Sequence, residues 1–202
     1  MNNINYSKEL DKLIEKNKNM GHKPKLMLHV CCAVCASYVL EYLVDNFQIY
    51  ILYYNPNISN KKEYEYRKSE LLRLIKETEI EDKVTIVDCE HESEKFFEKV
   101  KGHESDKEGG NRCSICFNLR LSYTYNMCEK YDCDYFATTL TISPLKNAGV
   151  INEIGLSISN KYLPTDFKKK EGYKRSIELS KKYNLYRQNY CGCDYSKPFD
   201  KE

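Results

Sequence analysis

Leu26-Met27-Leu28-His29-Val30-Cys31-Cys32-Ala33-Val34-Cys35 is a short apolar run that ends in three cysteines within five positions. The run has the length of a buried strand, and a helical pattern begins just beyond it, at about Ala36-Ser37-Tyr38-Val39-Leu40. In an open α/β sheet, ligands bind in the crevice outside the carboxyl ends of the strands. A strand that delivers thiols to that edge therefore places soft ligands where a site belongs. A single cysteine is often no more than a small buried hydrophobe. Three together, with further groups downstream, point to a metal or redox centre.

Working outward, the pattern of strands and helices repeats. Ile49 to Tyr54 reads as a second strand, stopped by the turn Asn55-Pro56-Asn57, and Val84 to Cys89 reads as a third. Between them lies a long helix from Lys61 to Glu79, with Tyr64, Leu71, Leu72 and Ile75 as its apolar stripe. A charged helix from Glu92 to Lys101 and a glycine-bearing linker lead to a helix opened by Arg112-Cys113-Ser114-Ile115-Cys116. Tyr135 to Leu140 forms a fourth strand, ending in the hydroxyl-rich loop Thr141 to Asn147, and another helix starts near Ala148. Strands alternating with helices predict an α/β fold: a parallel sheet flanked by helices, with a helical C-terminal part completing the site. Residues 1–24 read as a charged extension, with Leu10, Leu13 and Ile14 along one side of a helix, and 25–202 as a single domain.

The composition narrows the function. The chain has 202 residues, 31% of them charged, yet a formal net charge of only +2, so its overall charge singles out neither nucleic acid nor membrane as a partner. The first twenty residues are polar, and no apolar run approaches membrane-spanning length. These features predict a cytoplasmic protein, and ten cysteines in a reducing compartment are more often metal ligands or redox catalysts than staples. Charge is segregated only between Lys161 and Tyr190, where nine Lys/Arg face three acids, a local balance of +6, with five tyrosines interleaved. A solvated helix face and a phosphate-tracking surface with rings for stacking both fit that segment.

Cys113-x-x-Cys116, at a loop-to-helix junction, has the commonest metal-clamping spacing, and the helix N-terminus is expected to lower both thiol pKa values. With Cys31 and Cys32 it makes four thiolates, enough for a structural zinc or an iron–sulfur cluster. Adjacent cysteines diverge along an extended backbone, which suits a cluster better than one tetrahedral zinc, and the four histidines show no ligand spacing. Cys35 is left as a further ligand. Cys191-Gly192-Cys193 differs, because a disulfide across one residue is a strained ring and strained disulfides exchange readily. Cys89, Cys128 and Cys133 are assigned to packing.

Six blocks in order carry a resemblance: Leu28-His29-Val30-Cys31-Cys32-Ala33-x-Cys35, Tyr54-Asn55-Pro56-Asn57-Ile58, Arg112-Cys113-x-x-Cys116-Phe117-x-Leu119-Arg120-Leu121, Thr138-Thr139-Leu140-x-x-Ser143-Pro144-x-Lys146-Asn147, Asp166-Phe167-x-Lys169-Lys170-x-Gly172-Tyr173-x-Arg175-Ser176, and Leu185-Tyr186-Arg187-Gln188-x-Tyr190-Cys191-Gly192-Cys193. Together they resemble the cobalamin-independent epoxyqueuosine reductase family, QueH. The resemblance runs from about Lys25 to Ser196 and leaves the N-terminal helix outside. It departs from the family at Val34, where proline is expected.

The resemblance implies an oxidoreductase that performs the last step of queuosine biosynthesis, reduction of epoxyqueuosine to queuosine at the wobble position of a tRNA anticodon. It implies a [4Fe-4S] cluster on Cys31, Cys32, Cys113 and Cys116, with Cys191 and Cys193 as a redox-active disulfide. An additional iron beside the cluster is a further expectation, with Cys35 as its ligand. Asp166 is the first candidate for protonating the leaving oxygen, with Tyr54 and Lys146 behind it. Asn55, Arg67, Arg120, Thr139, Ser143 and Asn147 are candidate contacts to the modified base or its phosphates, and Lys169, Lys170, Arg175 and Arg187 to the tRNA backbone. An electron donor is the remaining partner. The alternative, a zinc-stabilised RNA-binding module without catalysis, leaves the Cys191/Cys193 pair and the adjacent Cys31 and Cys32 without a role. A thiol–disulfide enzyme acting on proteins would need no metal, and a nucleotide-dependent enzyme lacks a glycine-rich phosphate loop after the first strand.

Overall fold

The computed structural model describes residues 4–197; residues 1–3 of the extension and 198–202 of the expected domain lie outside the described residues. The apolar run forms β1 (Lys25–His29), followed by β2 (Gln48–Leu52), β3 (Val84–Val87) and β4 (Tyr135–Thr138). All pair in parallel in the order β3-β2-β1-β4. The chain therefore steps outward from β1 through β2 to β3, then returns to add β4 on the other side. β1 is the strand at which the order reverses, and its carboxyl end is the topological switch point.

The helices are α1 (Tyr6–Asn19), α2 (Ala33–Leu43), α3 (Lys61–Glu77), α4 (Ser93–Lys99), α5 (Asn111–Lys130), α6 (Ala148–Ile158) and α7 (Gly172–Lys182). Leu26, Leu28 and Val30 enter one core with α1, α2 and α3, and α7 packs outside α2. Met27 enters the opposite core with Phe117 and Leu121 of α5 and Ile151 of α6. Burial on both faces is why β1 reads as a continuous apolar run rather than an alternating one. No helix of the described residues is long and apolar enough to cross a membrane.

The structure departs from expectation at several element ends, each for a local reason. The second strand stops at Leu52, which pairs with His29; the Leu52 carbonyl still accepts the Val30 N–H, but the Val30 carbonyl accepts from the Asn55 side chain instead of a further strand N–H. The third strand stops at Val87 and the fourth at Thr138, where a 3-10 turn (Thr139–Ile142) takes over. α2 starts at Ala33, earlier than its apolar pattern, because the Cys32 sulfur accepts the Cys35 N–H at 3.4 Å and caps the helix. On α3, Leu72 faces solvent, whereas Leu74 is buried along with the charged residues Arg67 and Glu70. Leu10 and Ile14 of α1 are buried against the first core.

Candidate active site

Three thiols meet at the switch point. The Sγ atoms of Cys31, Cys32 and Cys35 all lie within 4.8 Å of one another, and such a group can hold a metal ion. The backbone leaves β1 at Val30, and Thr139 at the exit of β4 fixes the next residue: its Oγ1 accepts the Cys31 N–H at 3.1 Å and lies 3.3 Å from the Cys31 sulfur. Hydrogen bonds from Cys32 and Cys35 hold the Cys31 thiol well below its ordinary range, and the charges of Lys146 and Arg120 add to this against the cost of burial. Cys32, donating into that bond, is pushed up to about 11, and Cys35 rises well above the ordinary thiol value.

Behind the thiols lies a buried polar network. The Arg120 guanidinium, 3% exposed, donates from Nε to His29 Nε2 at 3.2 Å and from Nη2 to Asn55 Oδ1 at 2.5 Å. Burial, followed by the Arg120 charge, lowers the His29 pKa to about 3, so the ring is neutral. Its Nε2 accepts from Arg120 while Nδ1 donates to Thr138 Oγ1 at 2.8 Å. Asn55 Nδ2 donates to Val30 O at 2.9 Å, which ties the turn after β2 to the end of β1.

Two adjoining cavities open here. One, of about 170 Å³, is lined by Cys31, Cys32 and Cys35; the other, of about 90 Å³, is lined by Cys113, Cys116 and Cys193. Cys191, Arg120 and Lys146 line both, as do Glu108, Leu145 and Ser196. Cys113 and Cys116 stand on the first turns of α5, where the Gly109 N–H donates to the Cys113 sulfur at 3.2 Å. The expected lowering of these two thiols is overturned. Burial raises Cys113 and pushes Cys116 up to about 11, outweighing both the backbone donor on Cys113 and the Arg120 charge beside Cys116.

Cys191 arrives from the far end of the chain on an irregular strap, residues 183–193, not on a helix. Asn57 Nδ2 donates to the Cys191 carbonyl at 3.0 Å, and the Arg67 guanidinium lies under the Tyr190 ring, 5.1 Å from its centroid. Gly192 has φ +102°, and a Cβ there would meet Ile58 Cγ1 at 2.6 Å. The Cys191 thiol is lowered to about 5 by a hydrogen bond from Cys193, and by Ser196 and Lys146, against burial; Cys193 is raised as the donor. Lys146 keeps its proton because the thiols of Cys31, Cys35 and Cys191 outweigh the burial that disfavours its charge.

The remaining sequence candidates divide in two. Tyr54, Asn55, Arg67, Arg120 and Thr139 are buried, and Asn55, Arg120 and Thr139 support the thiols from behind. Tyr54 donates to Glu92 at 3.1 Å and stacks on Tyr123, and Arg67 pairs with Glu63 at 2.7 Å. Ser143 lines the larger cavity, and Asn147 lines the smaller one while capping α6. Asp166 pairs with Lys168 at 3.2 Å and lines neither cavity. Lys170 pairs with Asp11 of α1, Arg175 with Glu41 of α2, and Arg187 donates to Ser180; Lys169 is exposed. His29, Asn57, Glu108 and Leu145 were not among the site candidates; His29 and Asn57 stand inside the quoted blocks, which was the available hint, whereas Glu108 and Leu145 carry no motif signal.

A family model described as "Epoxyqueuosine reductase QueH" matches residues 26–198. The protein of that name from Staphylococcus epidermidis is 41% identical over 201 residues, covering 96% of this chain and 84% of the relative. Its Streptococcus pyogenes namesake is 37% identical, covering 96% of this chain and 78% of the relative. The Thermotoga maritima protein is 33% identical, covering 85% and 89%. Coverage of 96% carries the likeness into the N-terminal helix, which the family model omits.

Proposed function

Because the chain belongs to the epoxyqueuosine reductase QueH family, we propose that it is an oxidoreductase that reduces epoxyqueuosine to queuosine in the anticodon loop of a tRNA. Both C–O bonds of the epoxide break, a carbon–carbon double bond forms, and the oxygen leaves as water. The reaction takes up two electrons and two protons. The observation that carries this proposal is the gathering of seven thiols from three parts of the chain around two cavities with a common wall.

The donor set fits a cluster. It is all sulfur, which suits zinc or iron–sulfur centres, and the walls carry the buried cations Arg112 and Arg120 together with Lys146. A single ion could be held by Cys31, Cys32 and Cys35 alone, whereas a larger body is needed to engage thiols of both cavities. Cys31, Cys32, Cys113 and Cys116 would hold a [4Fe-4S] cluster, and Cys35 an additional iron. Such a cluster supplies electrons one at a time.

The chain's own groups do the rest. Oxidation of Cys191 and Cys193 to a disulfide releases the two electrons that the epoxide consumes; with Cys191 as the thiolate it releases one proton, from Cys193, and the second proton comes from a separate donor. An external electron donor restores the dithiol. Lys146, which lines both cavities, is better situated than Asp166 to hold a proton for the departing oxygen. Tyr190 lines the larger cavity and offers a ring for stacking a base. Lys169, Lys170, Arg175 and Arg187 supply charge for phosphates; exposed ion pairs like those of Lys170 and Arg175 are weak enough to exchange partners.

The test is the absorption spectrum of anaerobically purified protein with iron and sulfide analysis, followed by turnover on tRNA carrying epoxyqueuosine. A broad visible band that bleaches on reduction, about four irons and four sulfides, and conversion to queuosine are expected. A colourless protein holding one zinc after anaerobic reconstitution would overturn the proposal. In the same assay Lys146→Met loses at least about tenfold in turnover, in the range of a lost general acid, whereas Asp166→Asn retains it.

A further inference from the structure

Arg120 is a permanent charge that is 3% exposed, and its two side-chain partners, His29 and Asn55, are both uncharged. A buried charge without an opposite one is costly, so its counter-charge must come from elsewhere in the site. The two cavities that Arg120 lines are walled by seven thiols, and the one carboxylate in their shared wall, Glu108, is exposed to solvent. Arg120 also follows Cys113 and Cys116 at i+7 and i+4 on α5, which sets the three on one helical face. The guanidinium is held in place by the His29–Thr138 contact and by Asn55, so its remaining N–H groups have a fixed direction.

We propose that Arg120 is the positioning residue that sets the reduction potential of the sulfur-ligated centre, with the thiolates as its counter-charge and the Cys116 sulfur as a hydrogen-bond acceptor. This rests on the cluster assigned above. Hydrogen bonds to cluster sulfurs and net charge both set such potentials. A fixed cation in a dry wall favours the more negative, reduced state, and a donor on a ligand sulfur does the same. The neutral histidine is the part that makes this work: a carboxylate in place of His29 or Asn55 would cancel the charge before it reached the thiols.

The experiment is an anaerobic potentiometric titration of the reconstituted full chain, followed by visible absorption and by EPR, with iron counted for each sample. Arg120→Gln, which keeps a donor and loses the charge, is expected to hold full iron and to disfavour reduction about tenfold, a fall of ~59 mV for one electron. Arg120→Lys, which keeps the charge and loses the planar fork, lies between that variant and the wild type. If Arg120→Gln carries full iron and titrates with the wild type, the assignment to Arg120 is wrong while the cluster stands. If the wild type takes up no iron and sulfide, the cluster fails, and this inference with it. Should both variants fail to fold, wild-type protein grown with 15N-arginine decides: the reduced centre must show an arginine nitrogen coupling by pulsed EPR, and its absence overturns the proposal.

Discussion

Gly192 shows how one position governs the terminal thiol pair. Its φ of +102° lies where other residues are strained, and a Cβ there would run into the Ile58 side chain. Gly192→Ala carries a backbone cost of about 1–3 kcal/mol, to which the 2.6 Å approach to Ile58 adds. The strap is expected to lift from the 55–59 turn, carrying Cys191 away from Lys146 and Ser196. Thermal denaturation should show a modest loss of stability, while turnover falls at least about tenfold, as for loss of a positioned catalytic group. Asn57→Ala removes only the hydrogen bond to the Cys191 carbonyl and costs about 1 kcal/mol. Wild-type turnover in Gly192→Ala would show that the pair does not take part in the reaction.

At the scale of elements, the strap is held by α3. Arg73 donates to the carbonyls of Tyr183 and Asn184 at 3.0 and 3.2 Å, and Glu70 accepts the Tyr186 N–H at 2.8 Å. This explains the charged residues on the inner face of α3, which an apolar stripe read from sequence cannot anticipate. Arg73 first, and the Tyr186 N–H after it, lower the Glu70 pKa below the usual carboxylate range despite burial. Since the folded-state value is depressed, the stabilisation is complete above the unfolded value of about 4.3 and is lost as pH falls through the folded one. Glu70→Gln should therefore cost about 1.5–3 kcal/mol at neutral pH, the range for hydrogen bonds to a charged group, and the gap from wild type should narrow below about pH 4. Urea denaturation at pH 7 and pH 3 measures both; a pH-independent gap would mean that Glu70 is held by contacts other than its charge.

For the whole molecule, the order β3-β2-β1-β4 brings distant segments to one end of β1. Cys31 comes from the turn after β1, Cys113 from α5 and Cys191 from the strap, and the exit of β4 supplies Thr139. α1 reaches the same body from outside: Leu10 and Ile14 are 2% and 9% exposed against the first core, and Asp11 meets both Tyr42 and Lys170. Division into an extension of residues 1–24 and a domain of 25–202 is a proposal about folding independence. Replacing both Leu10 and Ile14 by alanine is expected to cost about 3–6 kcal/mol in denaturant unfolding, the usual range for burying two such side chains. A cost below about 1 kcal/mol, within the range of surface substitutions, would mean that α1 is an appendage that the domain does not need.

The parallel α/β sheet, the strand that ends in cysteines and the six blocks of the family were legible along the chain, because periodicity, turn residues and short motifs are local properties. The sequence by itself also identified the basic segment from Lys161 to Tyr190 and the thiols of both cavities. Only the tertiary structure decided which groups stand behind those thiols. His29 reads as an unremarkable residue on a buried strand until Arg120, 91 positions later, donates to it. Arg120 and Thr139 read as contacts at a loop edge until packing buries them. Lys170 and Arg175 read as free charge until Asp11 and Glu41 pair with them across more than 100 residues of sequence. The helix N-terminus was expected to lower Cys113 and Cys116, but desolvation, a property of the surrounding fold and not of the motif, reverses that sign. Burial and charge pairing depend on what the rest of the chain brings alongside, and for that reason spacing along the sequence located the sulfurs but not the cation that faces them.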